Sequence, residues 1–173
     1  MQGIIVRSEN PDDFKAIDVV HLSAFEGEDE ARLVAALRAD SGYSAELALV
    51  AEFNGRIVGH LMLTPAVLRQ KDGEIKVLVL APMSVVPSQS HRGIGTELVH
   101  EALKRAADAG YAAIIEAGKP DYYALHGFIP ASRLNVSCNL PVPEDAVMAV
   151  EITEGALAGG GEVIYPPIFK SVY

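Results

Sequence analysis

The chain is poor in cysteine, in positive charge and in long apolar runs, and each shortage removes a class of function. Cys138 is the one cysteine among 173 residues, so an internal disulfide is excluded and a cysteine-rich metal cage lacks its ligands. Lys and Arg number 14 against 23 acidic residues, a net charge of −9. Nucleic-acid binders concentrate basic side chains to neutralise phosphates, so no nucleic-acid partner is expected. The most extended apolar stretches, Leu47–Phe53 and Val77–Met83, fall far short of the roughly 20 residues that span a bilayer. A basic start followed by an apolar segment and a small-residue cleavage site is also missing, so no secretory leader is expected. His21, His60, His91, His100 and His126 lack the paired spacing of metal ligands, and no metal is expected. These absences together predict a cytoplasmic protein without a membrane partner.

What is present reads as one globular domain over residues 1–173, with a strand-rich C-terminal part from 134 to 173. Ile4–Arg7 suits a first strand. Asn10-Pro11-Asp12-Asp13 then reads as a helix start, with Asn10 as cap, Pro11 in the first turn and two acidic residues at the positive end of the dipole. Phe14, Ile17, His21 and Ala24 follow at helical spacing. A second helix is expected over Asp29–Arg38, with Leu33, Val34 and Leu37 inward and Gly42 beyond its end. Leu47–Phe53, Arg56–Val67 and Ile75–Val86 read as an antiparallel meander turned at Asn54-Gly55 and Asp72-Gly73. Pro82 has no N–H for a ladder and predicts a bulge or a break in pairing near Ala81–Met83.

Gly93–Ala109 carries Ile94, Leu98, Ala102 and Ala106 at intervals of four, an amphipathic helix ended by Gly110. Ala112–Ile115 follows as a buried strand, and a strand–helix–strand unit implies that it runs parallel to the strand before the helix. A short helix over Pro120–His126 and strands over Leu134–Leu140, Val147–Ile152 and Glu162–Tyr165 complete the reading. The fold class is α+β: a mixed, mostly antiparallel central sheet flanked by helices.

The segment from Val85 to Thr96 leads from a strand into the N-terminus of the long helix. Unpaired backbone N–H groups and the helix dipole make an anion site there. Gly93 and Gly95 keep side chains away from an approaching pyrophosphate, and His91 and Arg92 add positive character in an acidic chain. The run Ser90-His91-Arg92-Gly93-Ile94-Gly95 resembles the coenzyme-binding signature of the GNAT superfamily of acyl-CoA-dependent N-acetyltransferases. Its one departure is Ser90, where the family usually carries Gln or Arg. The resemblance implies acetyl-CoA as acyl donor, held by the backbone of the loop from His91 and Arg92 through Gly93, Ile94, Gly95 and Thr96. It also implies that the backbone of Met83, Ser84, Val85 and Val86 pairs with the pantetheine arm.

Gly118-Lys119-Pro120-Asp121-Tyr122-Tyr123-Ala124-Leu125-His126-Gly127-Phe128 is similar to a GNAT segment in which a Tyr precedes Gly-Phe by four residues, and its paired tyrosines resemble one small bacterial branch. By that resemblance Tyr123 lies near the thioester sulfur, protonates the departing thiolate and belongs to the coenzyme site, with Tyr122 as the alternative. Attack by an amine expels a thiolate, and a phenol within reach can supply the proton. The amine must itself be neutral, which calls for a base. Glu116, placed just after the strand following the long helix, is one candidate. The acidic cluster Glu26, Glu28, Asp29 and Glu30 is another, with a solvated helix start as its plainer reading.

The expected function is transfer of an acetyl group from acetyl-CoA to a primary amine of unknown identity. A non-catalytic acyl-CoA sensor and a dinucleotide oxidoreductase remain as alternatives. The second of these has the Gly-x-Gly and an acid about 20 residues on, but Leu98 stands where its third glycine would be. A homodimer is compatible with the sequence.

Overall fold

The structure, a computed structural model, describes residues 3–173. The chain forms two compact units. The first takes in the chain up to Leu63 and Ala81–Arg105; the second takes in Thr64–Leu80 and Ala106–Ser171.

In the first unit, β1 (Ile4–Ser8) pairs antiparallel with β2 (Ala48–Phe53), and β2 pairs antiparallel with the opening of β3 (Arg56–Gln70). Asn54 and Gly55, at φ 53° and 76°, make the turn between β2 and β3. These two positive values define the tight hairpin turn that Asn-Gly favours. Asn10 starts the first helical segment as expected. Its side chain accepts the Asp12 N–H at 3.0 Å and Asp13 accepts the Asn10 N–H at 2.9 Å, a reciprocal cap. A 3-10 turn at Pro11–Asp13 runs into α1 (Phe14–Ala24), and α2 (Asp29–Arg38) follows.

Ile17 and Val20 of α1 and Leu33, Val34 and Leu37 of α2 are buried. Alternation along β3 then assigns its two faces. Gly59 faces α3 (Ile94–Asp108), where a Cβ would stand 3.0 Å from both Ile94 and Leu98 and would push these side chains aside. The next residue, His60, points the other way and meets His21 of α1. Helices therefore cover both faces of this part of the sheet.

In the second unit, β4 (Gly73–Val85) pairs parallel with β5 (Ala113–Ala117) through Leu78↔Ile114 and Val79↔Ile115. This is the crossover expected of a strand–helix–strand unit. β5 pairs antiparallel with β8 (Val147–Glu151), which pairs with the two-residue β6 (Ile129–Pro130). The far end of β3 pairs with β9 (Gly161–Ile164), and β9 runs parallel to β7 (Val136–Cys138). Between β5 and β6 lies α4 (Pro120–Ala124). The fold is thus α+β, with a mixed, mostly antiparallel sheet.

β4 runs on to Val85 through a cis Ala81–Pro82 bond, and its pairs with β5 stop just short of Pro82, at Val79. A register shift lies between Ala51 and Glu52 of β2. Two expectations need correction. Glu116 lies inside β5 rather than after it, paired opposite Met148 of β8. Leu134 ends a 3-10 turn instead of opening a strand, and β6 was not foreseen.

Candidate active site

The loop after β4 is held by backbone bonds of the first unit. Val86 N–H donates to Val58 C=O at 2.8 Å, and a 3-10 turn at Pro87–Gln89 closes through Gln89 N–H to Val86 C=O at 2.8 Å. Ser90 turns its hydroxyl back to Pro87 C=O at 2.8 Å, so it stabilises the turn. His91 and Gly93 both take left-handed backbone, at φ 69° and 82°. For His91 this is an uncommon state, and glycine suits the second position. Glu97 N–H to Gly93 C=O, at 3.0 Å, opens the helix. The N–H groups ahead of Glu97 have no intrahelical acceptor, which leaves the first turn ready for an anion. His91 and Arg92 are exposed, and the Arg92 guanidinium lies 5.1 Å from the centre of the Phe53 ring. The loop residues named from the sequence, together with Met83–Val86, therefore lie in one unit.

Glu116 and Tyr123 lie together in the second unit. Glu116 is 6 % exposed, and burial pushes its carboxyl up to about 7 against the pull of Lys119. Its Oε1 has no hydrogen-bond partner among the described residues. Tyr123 is 2 % exposed and keeps its proton well past the usual phenol range, first because it is buried and then because Glu116, Tyr122 and Tyr173 are near. Its ring packs on Phe128 at 5.2 Å and meets Tyr122 edge-on at 5.1 Å. Packing and chemistry are compatible here, because a phenol can be fixed by its ring and still present its O–H. Tyr173 donates its hydroxyl to Ala117 C=O at 3.1 Å, and the buried Tyr165 hydroxyl has no partner among the described residues.

The acidic cluster is plainer. Glu26 and Asp29 are exposed and Glu28 pairs with Arg32 at 2.7 Å, which fits a solvated helix start, whereas Glu30 is half-buried and its Oε1 has no hydrogen-bond partner among the described residues. His100 is exposed. Burial pushes the Cys138 thiol up, the wrong direction for a nucleophile. Among the described residues no cluster of His, Cys, Asp and Glu could hold a metal ion.

Sequence reasoning missed a buried polar row in the first unit. Glu9 accepts from Arg38 at 2.9 and 3.0 Å, from Tyr43 at 2.6 Å and from His60 Nε2 at 2.8 Å. His60 Nδ1 lies 2.8 Å from His21 Nε2, and His21 Nδ1 lies 2.7 Å from Ser84 Oγ. These contacts hold the Glu9 carboxyl at about 2 despite its burial. Burial lowers both imidazoles, His21 to about 3. The one local signal was a histidine inside the apolar run from Val58 to Leu63, since a buried polar group needs a partner.

The family model described as Acetyltransferase (GNAT) family matches residues 14–128. The uncharacterized N-acetyltransferase YhbS of Escherichia coli (strain K12) is 31 % identical over 157 residues, covering 90 % of this chain and 92 % of the relative. The crystal structure of YhbS in complex with CoA matches with a TM-score of 0.88 at 30 % identity, over 96 % of this chain and 91 % of that one. A GNAT family acetyltransferase from Brucella melitensis in complex with acetyl-CoA matches with a TM-score of 0.76 at 26 % identity, over 98 % and 99 %.

Proposed function

The chain belongs to the GNAT family of acetyltransferases, and from that premise we propose how its residues move an acetyl group from acetyl-CoA to a primary amine. The two units act as one acyltransferase domain, a reading supported by β3 and β4, each of which runs through both. The first turn of α3, with Gly93, Ile94, Gly95 and Thr96, receives the pyrophosphate on backbone N–H groups, and His91 and Arg92 add charge. The backbone of Met83–Val86 receives the pantetheine arm.

Glu116 takes the proton of the attacking amine. A carboxyl at about 7 is partly ionised near neutral pH and is a stronger base than an ordinary glutamate. The amine nitrogen bonds to the thioester carbonyl carbon, the C–S bond breaks, and the thiolate takes the phenol proton of Tyr123. The observation that carries this assignment is the pairing, in one unit, of a buried carboxyl at about 7 with a buried neutral phenol. Two titratable groups whose environments set them to opposite tasks mark a base and an acid. The single cysteine fits a cytoplasmic enzyme, and the net charge of −9 fits a cationic small amine rather than nucleic acid or a membrane surface.

The test is the thermal midpoint with acetyl-CoA, CoA, NADH or ATP. A donor at about 100 times its Kd adds about 2.7 kcal/mol, a shift of several degrees. A shift with acetyl-CoA and CoA alone supports the reading. A shift with NADH alone, or with none of the four, contradicts it.

A further inference from the structure

The row Glu9–His60–His21–Ser84 has a direction. Glu9 is an anion whose single negative charge is balanced by Arg38, so a charged His60 would leave a surplus positive charge in the core. A carboxylate only accepts, so His60 must donate through Nε2, and its bare Nδ1 then accepts. His21 donates to it through Nε2, which leaves its own Nδ1 bare. Ser84 must therefore donate its hydroxyl proton to His21. The Ser84 oxygen makes that one bond, and no donor among the described residues reaches its two lone pairs. Every N–H and O–H in the row points toward Glu9, so the row turns electron density onto the Ser84 oxygen.

The row does not serve as a proton wire. Its far end is closed by Arg38 and Tyr43, both donors to Glu9. An alkylammonium near ~10 would have to hand its proton to a carboxyl near 2, about a hundred-millionfold against. What the row can do is hold one oxygen, fully oriented, on β4.

We infer that Ser84 Oγ accepts a hydrogen bond from an N–H of the acceptor amine, and that Glu9, His60 and His21 are positioning residues that hold it in that role. This rests on the reading above that Met83–Val86 lines the acetyl-CoA site, which sets Ser84 beside the reacting thioester. Accepting one N–H turns the nitrogen lone pair away from Ser84 and fixes its line of attack. The site thus favours nucleophiles that still carry an N–H after the lone pair is committed, as primary and secondary amines do.

The test uses a conjugate in which the sulfur of CoA is joined through a CH2–C(=O) group to butylamine, so that it carries an amide N–H at the acceptor position. Titration calorimetry compares CoA and the conjugate on the wild type, Ser84→Ala and Ser84→Thr. The conjugate is expected to bind about tenfold more weakly to Ser84→Ala, while CoA, held by backbone, binds all three alike and Ser84→Thr keeps the conjugate. Equal affinity of the conjugate for wild type and Ser84→Ala overturns the inference, as does an equal loss for both ligands. Failure of CoA to bind the wild type contradicts the coenzyme reading itself and takes this inference with it. Nitrogen-15 spectra of the wild type add an independent check. His21 is expected to carry its proton on Nε2 with Nδ1 bare, and a protonated Nδ1 would overturn the inference.

Discussion

Glu9 Oε1 and His60 Nε2 lie 2.8 Å apart, fully buried, although 51 residues separate them in the chain. With Arg38 and Tyr43 on the same carboxylate, this contact ties the residue after β1 to α2 and β3. Glu9→Ala strands Arg38 and His60 without their anion and should cost about 3 to 5 kcal/mol. Urea unfolding at pH 7 measures it, and a loss below about 1 kcal/mol would contradict the account.

The same contact predicts an acid limb of stability. Glu9 sits at about 2 when folded, below its ordinary 4.5, so its contribution is present above about 4.5 and is lost as pH falls through about 2. Asp13, lowered by its hydrogen bonds to Arg7, acts in the same direction. Unfolding free energy measured from pH 6 to pH 2 should fall less steeply in Glu9→Gln than in the wild type.

Glu116 has the opposite sign. Its folded value of about 7 exceeds the ordinary 4.5, so the folded protein binds the extra proton between those values. Its contribution is present below about 4.5 and lost as pH rises through about 7. The loss is on the order of 3 kcal/mol, and Glu116→Gln should remove it. Carbon-13 titration of the side-chain carboxyls should show one midpoint near 7 that vanishes in that variant.

How much of this was legible in the sequence differs from residue to residue. The bounds of α2 could be read because Leu33, Val34 and Leu37 repeat at helical spacing and Gly42 follows. The Asn54-Gly55 turn could be read because its two residues favour left-handed backbone. The turn from β4 into α3 was visible because its signals are local, a strand leading through glycines into a helix. The Glu9 row was not, because its members come from the end of β1's chain segment just past Ser8, from α1, from β3 and from β4, and meet only after folding. Glu116 reads as a strand end because a carboxylate in an apolar run looks like a boundary, whereas here the carboxyl is protonated enough to stay inside. The two-residue β6 is too short for any pattern.

Gly59 and Gly93 give separable tests of packing and of the loop. Gly59→Ala places a methyl 3.0 Å from Ile94 and Leu98 and should destabilise by about 1 to 3 kcal/mol. Gly93→Ala forces a side chain into φ 82°, at about 1 to 2 kcal/mol, and should also weaken CoA binding about tenfold. Thermal melts and calorimetry distinguish the two, since Gly59→Ala should keep its affinity for CoA.

The most direct test of the account is Tyr123→Phe, read by CoA affinity and by release of free thiol from acetyl-CoA under an accepted amine. The ring packing on Phe128 survives the change, so the protein should bind CoA as before while thiol release falls by about 100-fold or more. Unchanged thiol release in a folded, CoA-binding Tyr123→Phe would contradict the assignment of Tyr123 as the acid.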